Sequence, residues 1–388
     1  MGAHYPYNGS VVLEPNATGL SWSGLGPFAL FPRAELRWLD PLIERADHEI
    51  RLLRTLTPLE ARAERARLVD AAVRRQPLVP RWTYAPSSHR ELRRTLEHAD
   101  RALEHIGDAL ARTYQARTRE LQLEAALCEA AGTQALAPLA RERFGPATPQ
   151  SGRRASETCA RWMLEEEPRL VQPRIASDSS DPRSLMSCIR ATVGAARLPF
   201  AVVPSPALTA LAATGDDVIL VAADRLLSEE DARRTAVHEV EGHARPRAWA
   251  RGAPLAIFRA GTARGVDDQE GRALLIEQRA GFLGPRRRRQ LAQRHWAVSA
   301  MTEGASFGDV ITALVDDHGM EGPDAVILGE RIFRGSNGAT PGLGREWIYL
   351  DAFVRIETHL AEHPEDERVL ASGQVGIDFI DALRGTCP

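Results

Sequence analysis

Ser228-Glu229-Glu230-Asp231-Ala232-Arg233-Arg234-Thr235-Ala236-Val237-His238-Glu239-Val240-Glu241-Gly242-His243 is the stretch whose reading decides the fold. Two histidines with an acid directly after the first are the working parts of a zinc hydrolase helix. The neutral imidazoles hold the metal, and the acid takes a proton from water. The familiar spacing sets the histidines four positions apart, whereas His238 and His243 are five apart. Four positions leave side chains about 40° from each other on an ideal helix, and five leave them about 140° apart. The pair can share a metal only if the helix widens, through a single π-type turn or an unwinding at its end. Gly242 is the residue best suited to a distorted backbone. Ser228 with Asp231 reads as the cap that starts this helix.

A third ligand is expected downstream. Asp267-Asp268-Gln269-Glu270-Gly271-Arg272-Ala273 offers Glu270 at the start of a second apolar-periodic helix. Two histidines and one glutamate leave a coordination position open, which is a catalytic arrangement and not a structural one.

His-Glu-x-x-x-His followed about thirty residues later by Gln-Glu-Gly-x-Ala resembles the microtubule-associated tyrosine carboxypeptidases and their bacterial relatives, a family marked by a "QEGLA" motif. The segments Ala207 to Ser228, Arg331-Ile332-Phe333-Arg334-Gly335 and Trp347-Ile348-Tyr349-Leu350 resemble family segments in the same order, as do Pro80 to Tyr84 and Arg143 to Pro146. The resemblance implies zinc (Zn2+) bound by His238, His243 and Glu270, with Glu239 as catalytic base. It also implies removal of a C-terminal residue from a peptide or protein, and a zincin-like core. Glu241 and Arg272 depart from the family pattern and are expected to put new charge beside the metal, where it would bear on the identity of the substrate. A segment between the motifs is reduced to Arg251-Gly252-Ala253-Pro254.

Such a reaction needs a second donor for the oxyanion, and Tyr349 and Arg334 are the candidates. A terminal carboxylate calls for the planar fork of an arginine, and Arg334, Arg345 and Arg272 are the candidates. Two other classes use the same letters. Two histidines and a carboxylate also form the triad of a non-haem iron(II) oxygenase, which has no use for Glu239. A catalytically inactive binding protein would tolerate loss of Glu239, which is intact.

The 388 residues, 44% hydrophobic and 26% charged, have ordinary globular composition. A net charge of −3 and a pI near 6.4 give no reason to expect nucleic acid or an anionic membrane as partner. None of the 49 basic residues is lysine, which excludes Schiff-base and P-loop lysine chemistry and points to a GC-rich bacterial source. Cys128, Cys159, Cys188 and Cys387 have neither metal-ligand nor redox spacing. With no membrane-length apolar run and no signal-peptide pattern, the chain reads as soluble and cytoplasmic. The sequence leaves the oligomeric state open. Arg286-Arg287-Arg288-Arg289 reads as a solvated helix face.

The fold class expected is α+β, predominantly helical, with a small sheet before the His-Glu-x-x-x-His helix. Residues 1–32 read as an N-terminal arm, 33–176 as a helical region packed on the core, and 177–388 as the catalytic region. Thr57-Pro58-Leu59-Glu60 and Ser88-His89-Arg90-Glu91 read as capping boxes, the second opening the longest helix. Gly145 to Gly152 reads as a loop. Phe200 to Val203 and Val218 to Ala222 read as strands, and an edge strand there can hold an extended peptide.

Overall fold

The computed structural model describes residues 36–166, 173–206 and 208–386. The N-terminal arm expected over 1–32, and Cys387, lie outside the described residues. The described chain is mostly helical with two small sheets, as the pattern of the sequence implies.

The N-terminal helices are α1 (Leu39–Ile50), α2 (Ala61–Val73), α3 (Arg90–Glu104), α4 (Ala109–Glu129), α5 (Leu136–Phe144) and α6 (Pro149–Met163). The longest is α4, with 21 residues, not α3. Gly107, at φ 66, separates the end of α3 at Glu104 from α4, which starts afresh on an Asp108 cap, and Leu92, Leu96, Ala99 and Leu103 of α3 join the apolar core of the chain. Neither expected capping box forms. The Thr57 hydroxyl donates back to the Leu53 carbonyl, and α3 starts on His89 with no side-chain cap, the His89 amide donating to Glu129. The loop expected through Gly152 already becomes helix at Pro149, because Thr148 and Ser151 cap each other.

Strand β1 (Ile175–Ala176) precedes α7 (Leu185–Ala195), then come β2 (Ala201–Ser205), β3 (Ala212–Thr214), β4 (Val218–Ala222) and β5 (Leu226–Leu227). β1 pairs with β5, and the three-stranded sheet runs β2-β4-β3. β2 lies parallel to β4, Ala201 opposite Val218, while β3 is antiparallel with Thr214 opposite Ile219. β3 is therefore an edge strand. Alternation along β4 buries Ile219 and Val221 against α7 and the next helix, α8 (Glu229–Val237), through Ile189, Ala232 and Ala236.

Ser228 accepts from the Asp231 amide and donates to its carboxylate, as expected for the start of α8. A π-helical turn, His238–Ala244, continues it into α9 (Arg245–Ala250). Then follow α10 (Gly265–Arg279), α11 (Pro285–Thr302), α12 (Phe307–Asp316), α13 (Gly322–Ile332) and α14 (Ile348–Glu362). The largest apolar cluster runs from Leu36 through α4 and α10 to Leu383, so the N-terminal helices and the later ones share a core. Among the described residues no helix is long and apolar enough to cross a membrane.

α10 sits at the centre because glycine and alanine let its neighbours approach. A Cβ on Gly271 would lie 2.4 Å from the Ala352 carbonyl carbon of α14. Backbone cannot yield as a side chain does, so Gly271→Ala is expected to destabilise the fold by about 3 kcal/mol, the upper end for overpacking. Urea denaturation of the variant measures this, and an unchanged midpoint would contradict the packing account.

Candidate active site

The widened turn solves the spacing problem posed by the sequence. It brings His238 Nε2 to 3.2 Å from His243 Nε2, although the residues are five apart. Glu270, on α10, places Oε2 3.4 Å from the first nitrogen and 3.6 Å from the second. The three side chains are 11–12% exposed. Among the described residues this is the cluster of His, Cys, Asp and Glu whose ligand atoms converge.

The outer nitrogens are already engaged. His238 Nδ1 lies 2.7 Å from Glu277 Oε1, and His243 Nδ1 3.0 Å from Gln269 Oε1. Each ring thus donates outward and turns the lone pair of Nε2 inward. Donors arranged tetrahedrally at about 2.0–2.1 Å from a zinc ion lie roughly 3.3 Å from one another, so the three observed separations fit such an ion. Charge agrees with geometry. Burial disfavours the imidazolium of His238, but Glu270 and Glu277 outweigh it and push the group up to about 9. Burial opposes ionisation of Glu270 too, yet the two histidines and Arg345 hold it well below the usual carboxylate range. The position between the three groups favours a cation.

Gly242 has a role different from the one its sequence suggests. A Cβ there would meet Ala273 Cβ at 2.5 Å. It is required for close approach of α10, whose Ala273 is the last letter of the second motif.

Glu239 is buried, and its Oε2 accepts from the Thr214 hydroxyl at 2.7 Å. Thr214 ends β3, so the edge strand, the acid and the histidines border one cleft of about 1310 Å³. Tyr349, Arg331, Arg334 and Arg345 line the same cleft. Arg345 Nη2 lies 3.3 Å from Glu270 Oε1, and Arg331 pairs with Glu346 at 2.7 Å. Arg331 also donates to the Tyr349 hydroxyl at 3.5 Å, which leaves the phenol proton for another acceptor. Burial, then Glu270 and Glu346, push that phenol up, so it stays protonated. Arg334 meets the Thr209 hydroxyl at 3.5 Å, and burial beside Arg331 lowers it to about 10.

The structure places Arg272 elsewhere. It pairs with Glu367 at 2.8 Å and does not line the cleft. Glu241 is likewise taken by Arg245, at 2.6 Å, so neither departure from the family pattern adds free charge at the site. The arginine run is not a solvated face either: Arg287 is buried against Glu277, and Arg286 and Arg288 pair with Asp231 and Glu165. Thr214, Gln269, Glu277 and Arg287 are the site-forming residues whose roles sequence reasoning missed. Only Gln269, inside the second motif, carried a local signal.

The family model described as microtubule-associated tyrosine carboxypeptidase matches residues 70–387. The chain belongs to that family. No curated protein matches it. The carboxypeptidase family model spans α3 to α14 and includes both motifs together with β2 to β4, so the match covers every cleft residue discussed above.

The contact between the two motifs is testable by a double-mutant cycle. Gly242→Ala is expected to cost about 1–3 kcal/mol by overpacking, and Ala273→Gly in the same chain to recover part of it. A coupling energy of roughly 0.5–3 kcal/mol from chemical denaturation is the expected reading; strict additivity would show that the two residues do not press on each other.

Proposed function

We propose that this protein is a zinc-dependent carboxypeptidase with a zincin-like core that removes a C-terminal residue from a peptide or protein. The observation that carries the reading is the convergence of His238 Nε2, His243 Nε2 and Glu270 Oε2, with both Nδ1 atoms tied off and a buried acid, Glu239, next to the first histidine. Family membership supports the peptidase class. When bound, zinc supplies Lewis acidity, bringing the pKa of water toward about 7 and polarising a carbonyl.

The chain's own residues do the rest. Glu239 takes the proton of the attacking water and passes it to the leaving amine, and the Thr214 hydroxyl fixes the orientation of its carboxylate. Tyr349 donates a hydrogen bond from its phenol O–H to the developing oxyanion, a lone pair of the phenol oxygen already accepting from Arg331. The free edge of β3 takes the substrate backbone as an added strand. Arg334 receives the terminal carboxylate. Arg345 is beside Glu270, Arg331 is paired with Glu346 and Arg272 with Glu367, whereas the partner of Arg334 here is a neutral hydroxyl. An incoming carboxylate offsets its charge, and the neutral amide of an internal peptide bond does not.

The decisive experiment is metal analysis together with digestion of a peptide library varied at its last two residues. About one zinc per chain with loss of single C-terminal residues is the expected result. Glu239→Gln should keep the metal and lose roughly two to four orders of magnitude in rate. Bound iron without cleavage would overturn the reading. Arg334→Met is expected to raise KM for free peptides and to abolish their preference over C-terminally amidated ones. Equal treatment of both by the wild type would count against the exopeptidase.

Thr214→Val, which keeps shape and removes the donor, is expected to lower kcat roughly tenfold, the worth of one hydrogen bond to a charged group, with KM and zinc content unchanged. Thr214→Ser should retain most of the rate. A valine variant as fast as wild type would show that the hydroxyl does not serve the base.

A further inference from the structure

Glu277 lies outside both motifs. It stands seven residues beyond Glu270 on α10, two turns along, so both carboxylates share one helix face. Its side chain is 0% exposed. Oε1 accepts from His238 Nδ1 at 2.7 Å and from Arg287 Nη2 at 3.0 Å, and Oε2 accepts from Arg287 Nε at 2.8 Å. Arg234 of α8 places Nη1 3.7 Å from Oε1. Four elements therefore meet at one carboxylate: α8, the π-turn, α10 and α11.

The other histidine is held differently. His243 Nδ1 meets the neutral amide oxygen of Gln269 at 3.0 Å. Both partners fix a ring and its tautomer, but only a carboxylate also makes the imidazole a stronger donor at its inward nitrogen. The centre is thus asymmetric in charge.

We propose that Glu277, clamped by Arg287 and Arg234, is the positioning residue that sets the metal affinity of the site through His238, while Gln269 orients His243 without adding charge. Arg287 thereby becomes part of the site, at one remove from the ligand. This inference rests on the zinc reading above and adds a dependence on a residue that touches neither metal nor substrate.

The test is zinc affinity of the purified chain, measured by competition with a chromogenic chelator, alongside thermal unfolding of the metal-free protein. Glu277→Gln keeps the acceptor and removes the charge, and is expected to weaken zinc binding roughly ten- to hundredfold. Because that variant leaves Arg287 and Arg234 buried without their counter-charge, Glu277→Gln/Arg287→Met is measured beside it. The double variant removes one cation, keeps the aliphatic stem and should fold with the same zinc loss. Restoring the carboxylate on the other ligand, Gln269→Glu in the Glu277→Gln chain, is expected to recover much of the affinity, which a purely structural role would not predict. Zinc held as tightly by the two Glu277 variants as by wild type would overturn the role given to Glu277 and leave the metal centre standing. Wild-type chain that takes no zinc would overturn the metal centre itself.

Discussion

The structure depends on seven residues of widened helix. A π-turn over His238–Ala244 gives up the regular hydrogen bonding of the α-helix, a form rare in proteins and concentrated at functional sites. It persists here because α10 presses against it at Gly242 and Ala273, where no extra Cβ fits. The second motif is best understood as the surface that makes this contact. Gln269 holds His243, Glu270 enters the cluster, Gly271 clears the backbone of α14, and Ala273 meets Gly242. Arg272 turns away to Glu367, so the letter that departs from the family pattern makes none of these contacts.

Electrostatics adds a second constraint. Buried carboxylates cost several kcal/mol each unless they are matched. Glu277 has Arg287 and Arg234, Glu346 has Arg331, and Glu270 has the histidines and Arg345. What remains unmatched is the point between two inward nitrogens and one oxygen. A proton on His238 satisfies part of that demand, whereas a divalent ion would satisfy three donors together. The upward push on His238 and the spacing of the donors are thus two views of one arrangement.

The features legible in the sequence were those carried by short spacing. The five-residue offset of the histidines demanded a widened helix, Ser228 and Asp231 announced its start, and Glu270 followed in a helix-forming run. Features set by tertiary packing were not legible. Glu277 reaches His238 across 39 positions and Thr214 reaches Glu239 across 25, and neither stands in a recognisable pattern. Local rules failed where another group took the partner: Glu241, which sequence alone sets beside the metal, is neutralised by Arg245. Three-residue β3 was too short for periodicity, yet it contributes the free edge of the sheet and the hydroxyl on the base.

The cleft wall that carries Tyr349 also carries Arg331, Arg334 and Arg345. Arg331 bridges Glu346 and the phenol, Arg345 touches Glu270, and the charge of both bears on Arg334. On the proposed reading, an anion arriving at Arg334 would relieve repulsion among the same arginines that contact Tyr349 and Glu270. A substrate lacking that anion meets the wall with the repulsion intact. On the proposed reading, selection for a chain end needs no closed pocket: it would follow from the guanidinium groups of Arg331, Arg334 and Arg345 on one cleft wall, in a chain whose basic residues are all arginine.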